Sequence, residues 1–273
     1  MKLSRAFYDL VGASVLWGTI GIAVQEAYRF GANSLGIVLF RTLFSCLILF
    51  YQGNRKILLR WESIAMGLIA GTFYEIYAFT IILDGAPLSS FLLYTAPLFV
   101  ILFSYALFKE ELNLRKVIGS FIVIVALYLD YLGTPTPVEL IWGILSGVSY
   151  AGLISYSKFL QLRGFSGWDV LSAQSVWSLP LSLVVSLPFS RSISVGSVAG
   201  GLYMAILGTI IPYYLFYRGI KLMDSAIATV ISALEPVVTT LLAYPLLGQT
   251  LTPLQILSAS MILGSSIWLS LSR

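Results

Sequence analysis

Three ionisable side chains, Arg41, Glu75 and Glu235, stand deep inside long apolar runs of this chain. At the centre of a membrane helix each costs about 2.5–3.5 kcal/mol on insertion scales, so each needs a partner or a task. A guanidinium holds a carboxylate through two parallel hydrogen bonds. A carboxylate receives an ammonium, helped by cation–π attraction where aromatic rings stand close. Helical periodicity puts Glu75 on the face of Gly67, Gly71 and Ala78, with Tyr74 and Tyr77 on the adjoining face. Small neighbours there suit either a cavity lining or a tight helix contact. Glu235 precedes Pro236, whose missing N–H frees a backbone carbonyl four residues earlier. Arg41 is the expected charge partner of one of these carboxylates, or the holder of a carboxylate brought from outside. Glu26 and Arg29, three apart near the end of the first run, read as a surface pair.

The chain holds 16 Tyr and 6 Trp. Those near run ends, such as Tyr8, Tyr51, Trp61, Trp142 and Trp268, suit membrane–water interfaces. Trp17, Tyr74, Tyr77, Tyr94, Tyr213 and Tyr214 lie mid-run, as do Tyr150, Trp177 and Tyr217, and their polar tips need partners or water. Pro212-Tyr213-Tyr214 follows Glu75-Ile76-Tyr77 by 137 positions, which makes these two stretches the expected walls of a polar cavity. The chain has no histidine and one cysteine, Cys46, which excludes disulfides, Cys/His nucleophile pairs and the usual zinc ligand sets. There are no paired aspartates and no nucleotide-binding loop. These residues imply no catalytic site, no metal and no cofactor.

What positions such groups is a membrane bundle. Of 273 residues, 58% are apolar and 10% charged, against roughly 25% charged in soluble domains. A soluble enzyme and a nucleic-acid binder are both excluded. A hydrocarbon core about 30 Å thick takes roughly 20 helical residues to cross. Ten apolar runs meet that length, at about 7–28, 34–52, 61–83, 87–108, 114–132, 138–160, 167–188, 196–220, 225–247 and 253–271. The predicted fold is an all-α membrane protein of ten transmembrane helices joined by connectors as short as Asp84-Gly85-Ala86. The first run is too long for a signal peptide and nine more follow, so it reads as a span.

Lys and Arg resist translocation and collect in cytoplasmic loops. An inside N-terminus places Lys2, Arg5, Arg55, Lys56, Arg60, Lys109, Arg115, Lys116, Lys158, Arg163, Arg218, Lys221 and Arg273 on the cytoplasmic side, leaving Arg29 and Arg191 outside and Arg41 within a span. Both termini are therefore expected in the cytoplasm.

A weak internal repeat runs through the chain. Leu93-Tyr94-Thr95-Ala96-Pro97 parallels Ala233-Leu234-Glu235-Pro236, and Gly71-Thr72 recurs as Gly208-Thr209. Residues 1–133 and 138–273 then hold five spans each, and an odd repeat inserts upside down relative to its twin. The basic residues agree, since loops rich in Lys and Arg in one half have poor counterparts in the other.

The stretch Leu234-Glu235-Pro236-Val237-Val238-Thr239-Thr240-Leu241-Leu242-Ala243-Tyr244, its parallel Ala96-Pro97 to Phe108-Lys109-Glu110-Glu111-Leu112, and the pairs Trp17-Gly18 and Phe40-Arg41 resemble the drug/metabolite transporter superfamily, in its EamA branch. One departure is Gln249, where that family usually has glutamate; the first-half equivalent keeps Glu110. The resemblance implies a multi-pass secondary transporter of the cell membrane, an exporter or exchanger of amino acids or related small polar metabolites, alternating access between inverted halves. Its expected partners are a small-molecule substrate, the lipid bilayer and, for coupling, a proton or an exchanged solute. Trp17, Tyr74, Glu75, Tyr77, Tyr94, Tyr213, Tyr214 and Glu235 form the expected substrate-binding set, with Arg41 as charge partner. Organic-cation transport is the rival reading, and a channel or structural subunit the remaining one.

Overall fold

The structure, a computed structural model, describes residues 2–131, 135–189, 193–247 and 252–271, without the side chains of 2–4, 84–87, 90, 130, 131, 189, 243, 244 and 247. Arg191, Gln249, Arg273 and part of the 133–137 connector lie outside the described residues. Within them the chain is helical and contains no strand. The helices are α1 (Lys2–Gly18), α2 (Ile20–Arg29), α3 (Ser34–Gln52), α4 (Arg55–Leu58), α5 (Trp61–Leu93), α6 (Ala96–Phe108), α7 (Leu114–Tyr131), α8 (Pro137–Leu162), α9 (Gly167–Phe189) and α10 (Val195–Ala205). A π-helical turn, Ile206–Ile210, leads into α11 (Ile211–Ile220), followed by α12 (Ser225–Ser232), α13 (Leu234–Leu247) and α14 (Pro253–Ser270). Starts are chemically marked: Thr136 and Thr252 form capping boxes with Glu139 and Gln255, each followed by proline at the first turn.

Among the described residues, nine helical stretches are long and apolar enough to cross a bilayer. The tenth expected span, α7, has 18 residues and carries Arg115, Lys116 and Asp130 toward its ends, so it falls short of that standard. The backbone is helical through Asp84-Gly85-Ala86, where a connector was expected, and the chain leaves helical form at Tyr94-Thr95 instead. This α5 is not straight. Its Glu62 carbonyl meets Tyr156 of α8 and its Leu92 packs at Gly143 of the same helix. Residues 143–156 rise about 20 Å, whereas residues 62–92 of a straight helix would rise about 45 Å. The helix is therefore bent between these two contacts.

Helices of the first half pack mainly on helices of the second. α5 lies on α8 and α9, α3 on α9 and α10, α1 on α11 and α13, α6 on α8, and α7 on α14. Lipid supplies no hydrophobic drive between helices, so close approach depends on small residues. Gly67 and Gly143 are such positions: a Cβ at Gly67 would lie 2.1 Å from the Trp177 Cβ, and one at Gly143 would lie 2.1 Å from Leu92 Cδ1. Glu26 and Arg29 form the expected exposed pair, 2.6 Å apart.

Candidate functional site

Prolines and broken helices free the backbone groups that build the centre of the molecule. Pro236 leaves the Ser232 carbonyl without its usual donor, and the helix breaks at Ala233 between α12 and α13. Tyr94, at the break between α5 and α6, donates toward that carbonyl at 2.9 Å, and its hydroxyl lies 2.8 Å from Glu235 Oε2. Pro212 deprives the Gly208 carbonyl in the same way, and Trp17 Nε1 donates to it at 3.1 Å. Trp17 also meets Tyr213 edge-on, with ring centres 5.1 Å apart. The break at Thr19 leaves the Gly18 carbonyl to Thr239, whose hydroxyl donates to it at 2.8 Å.

Arg41 is buried on α3. Its Nε donates to Thr209 Oγ1 at 2.7 Å, and its guanidinium rests 3.8 Å from the centre of the Tyr74 ring. Thr209 lies in the π turn and passes its own hydrogen to the Met204 carbonyl; π turns inside helices often mark functional positions. Among the described residues Arg41 forms no ion pair, so the expected partnership with Glu75 or Glu235 is not made. Glu235 is engaged by Tyr94, and Glu75 faces another way. Tyr150 is buried in the same core as Trp17, Tyr74, Tyr94 and Tyr213, and Phe73 connects it to Tyr77 by stacking on both rings. Arg41, Tyr74, Tyr77, Tyr94, Tyr150, Tyr213, Trp17 and Glu235 thus form one central cluster drawn from both halves.

Glu75 and Tyr214 lie apart from it. Periodicity placed Glu75 correctly on the Gly67–Gly71 face, but that face packs against α9. Ser186 donates to Glu75 Oε2 at 2.6 Å, while among the described residues Glu75 Oε1 and the nearby Ser182 hydroxyl have no hydrogen bond of ordinary geometry. Tyr214 is about one-third exposed, with Trp168 edge-on and Arg218 above its ring. A buried carboxylate with one donor is costly. An amide is neutral and can donate to Ser182, so Glu75→Gln is expected to melt at or above the wild-type Tm in detergent. A clear fall in Tm would show instead that the carboxylate is the better tenant of this seam.

Two contributors went unrecognised from sequence. Gln174, fully buried in α9, bridges Tyr74 and Tyr217; as a lone amide in an apolar run it carried a usable signal. Thr209 stood out only as part of the Gly208-Thr209 repeat pair, which carries no sign of a contact to Arg41.

The sequence matches the EamA-like transporter family over residues 8–132 and again over 138–271. The chain belongs to this family. It is a multi-pass membrane transporter. An uncharacterised transporter of Archaeoglobus fulgidus is 26% identical over 93% of this chain and 92% of its own length. An uncharacterised inner membrane transporter, YicL of Salmonella typhimurium, is 26% identical over 98% of this chain and 95% of its own length. Protein PecM of Dickeya dadantii is 26% identical over 63% of this chain and 60% of its own. A solved crystal structure 19% identical in sequence superposes at a TM-score of 0.78 over 96% of this chain and 95% of that one, which shows the shared fold.

In this EamA transporter a charged cluster ties one end of the bundle together. Lys158, read from sequence as a loop charge, is buried near the end of α8, and its Nζ donates to the Ile220 and Met223 carbonyls at 2.5 Å. It stands 3.8 Å from Glu110, which accepts from the Ser225 backbone and hydroxyl, while Lys116 pairs with Asp224. Burial, and then the neighbouring Asp224 carboxylate, push Glu110 from its ordinary 4.5 up to about 7 against the pull of Lys158. A raised carboxyl means that this arrangement binds a proton more tightly than one with Glu110 in water. The arrangement is therefore favoured by acid and loses that advantage as pH rises through about 7. Spin labels on Asn113 and Leu222 in a Cys46→Ser background are expected to show a growing short-distance population from about pH 8 to about pH 5.5. Glu110→Gln should flatten the response; an equal response in that variant would assign it to another group.

Proposed function

We propose that this protein is a secondary transporter of small zwitterionic metabolites of the amino-acid type, an exporter or exchanger in the cell membrane. The observation that carries this reading is the central cluster, in which Arg41 and Glu235 flank a set of buried tyrosines supplied by both halves. A carboxylate suits the guanidinium and an ammonium suits the carboxylate and the aromatic rings. Arg41 within the cluster counts against a bare organic cation. Trp17, Tyr74, Tyr77, Tyr94, Tyr213 and Glu235 are the proposed contacts. Glu75 and Tyr214 are set aside from the substrate itself.

The mechanism proposed is alternating access between two inverted five-helix repeats, residues 1–133 and 138–273, with ten spans and both termini cytoplasmic. The packing pattern supports it. Exchanging each span with its counterpart five positions along converts the α5–α9 contact into α3–α10, the α1–α13 contact into α6–α8, and the α1–α11 contact into α5–α8. The α3–α9 and α7–α14 contacts map onto themselves. Such self-mapping accompanies a pseudo-two-fold axis, and the breaks that bring Tyr94 to Glu235 fall at corresponding places in the repeats.

Purified protein in liposomes should show saturable counterflow of a radiolabelled amino-acid mixture. Non-saturable ion current without counterflow would overturn the reading. For orientation, a cysteine replacing the exposed Thr136 should react with an impermeant thiol reagent from outside intact cells; labelling only after permeabilisation would reverse the topology.

A further inference from the structure

Gln174 has no exposure in the middle of α9, and its amide is spent on two tyrosines from different helices. Its Nε2 donates to the Tyr74 hydroxyl, and its Oε1 accepts from the Tyr217 hydroxyl. Tyr74 carries the ring on which the Arg41 guanidinium lies, 3.8 Å from its centre, while Thr209 takes Arg41 Nε at 2.7 Å. Ring and threonine hold the guanidinium at two points. Among the described residues, neither Arg41 Nη group has a hydrogen-bond partner, and the Tyr74 hydroxyl, which receives a hydrogen from Gln174, keeps its own uncommitted.

We propose that Gln174 is the positioning residue of a carboxylate subsite, holding the Tyr74 ring so that Arg41 presents its open fork to a substrate carboxylate. The inference rests on the reading of the central cluster as the substrate site. The chemistry favours an amide at this position. It accepts from one hydroxyl and donates to another within a single plane, so it anchors the tip of the Tyr74 side chain without adding charge. A glutamate would accept from both tyrosines, consume the Tyr74 hydrogen and place a negative charge near Arg41. A leucine would fill the volume and leave the tip of the ring untethered. A planar fork needs its partner aligned for two parallel bonds, so a displaced ring weakens binding of the carboxylate and leaves the rest of the transport cycle intact.

Three probe classes separate the outcomes: amino acids, the amines left by removing their carboxylates, and the monocarboxylates left by removing their amino groups. In thermal-shift measurements on detergent-purified protein, the compounds bearing a carboxylate should stabilise the wild type. That stabilisation should be lost in Gln174→Leu and in Tyr74→Phe, which keeps the ring and removes only its tether. In proteoliposomes both variants should raise the KM for amino-acid counterflow about tenfold with the maximal rate little changed, whereas Tyr214→Phe, outside the cluster, should stay close to wild type. Stabilisation by the amines alone, no stabilisation by any carboxylate, or wild-type KM and shifts in both variants would overturn the inference. If monocarboxylates stabilise the wild type and the variants lose that shift while amino acids show no counterflow, the amino-acid reading falls and the carboxylate subsite stands. Gln174→Leu that fails to run as a monodisperse species leaves Tyr74→Phe to decide.

Discussion

Replacing Arg41 with alanine is expected to abolish saturable amino-acid counterflow in proteoliposomes, with the protein still monodisperse. The side chain is buried, and among the described residues its charge meets no acidic partner and its Nε alone is hydrogen-bonded, to Thr209. Two charge-assisted hydrogen bonds to a substrate carboxylate are worth about 1.5–3 kcal/mol each, so losing both weakens binding by roughly two orders of magnitude or more. Lysine is the sharper test. It keeps the charge but has neither the fork nor the flat face that stacks on Tyr74, so Arg41→Lys should raise KM at least about tenfold. A wild-type KM in Arg41→Lys would reduce Arg41 to a point charge that holds the helices. A wild-type KM in Arg41→Ala would remove it from the site.

Tyr94→Phe is expected to produce the largest stability loss of any single hydroxyl deletion in the protein. The Tyr94 hydroxyl is buried and lies between Glu235 Oε2 at 2.8 Å and the Ser232 carbonyl at 2.9 Å. The hydroxyl has one hydrogen to share between these two acceptors, and phenylalanine withdraws it from both the buried carboxylate and the carbonyl already deprived of its helical partner by Pro236. Losing one such donor costs about 1–3 kcal/mol, which would appear as a fall of several degrees in Tm. Glu235→Gln removes the charge that makes the first of these losses expensive. The Tyr94→Phe/Glu235→Gln double variant should therefore be less destabilised than the sum of the single variants, by about 1 kcal/mol or more. Strict additivity would mean that the hydroxyl and the carboxylate do not act as a unit.

The membrane-spanning runs were legible because their signal is composition over some twenty residues, which no tertiary contact can alter. Helix breaks were partly legible. Pro236 announced a freed carbonyl, and Ser232 is the residue that lost its donor; nothing in the sequence said that Tyr94, 138 positions away, would take it. The turn expected at Asp84-Gly85-Ala86 does not interrupt the helical backbone, which leaves helical form at Tyr94-Thr95 instead. Glu75 shows the limit of periodicity: the face was right, but a stripe of small residues is equally good for a cavity and for a packed helix, and α9 occupies it. Lys158 shows the limit of counting charges, since its long side chain reaches carbonyls at the end of α11 instead of marking a loop.

Sequence alone determined that this protein lives in the membrane, that it repeats itself, that it resembles the EamA transporters, and that its buried chemistry would rest on one arginine, two glutamates and a set of tyrosines. Each of these follows from residue type and local order. Only the tertiary structure decided which of these groups meet. It placed Arg41 on Tyr74 and Thr209 without a carboxylate, joined Glu235 to Tyr94 across the halves, moved Glu75 into a helix seam and brought in Gln174. The reason is physical: in lipid, helices associate through close packing and the satisfaction of individual polar atoms, and both depend on the angle and register at which helices far apart in sequence cross.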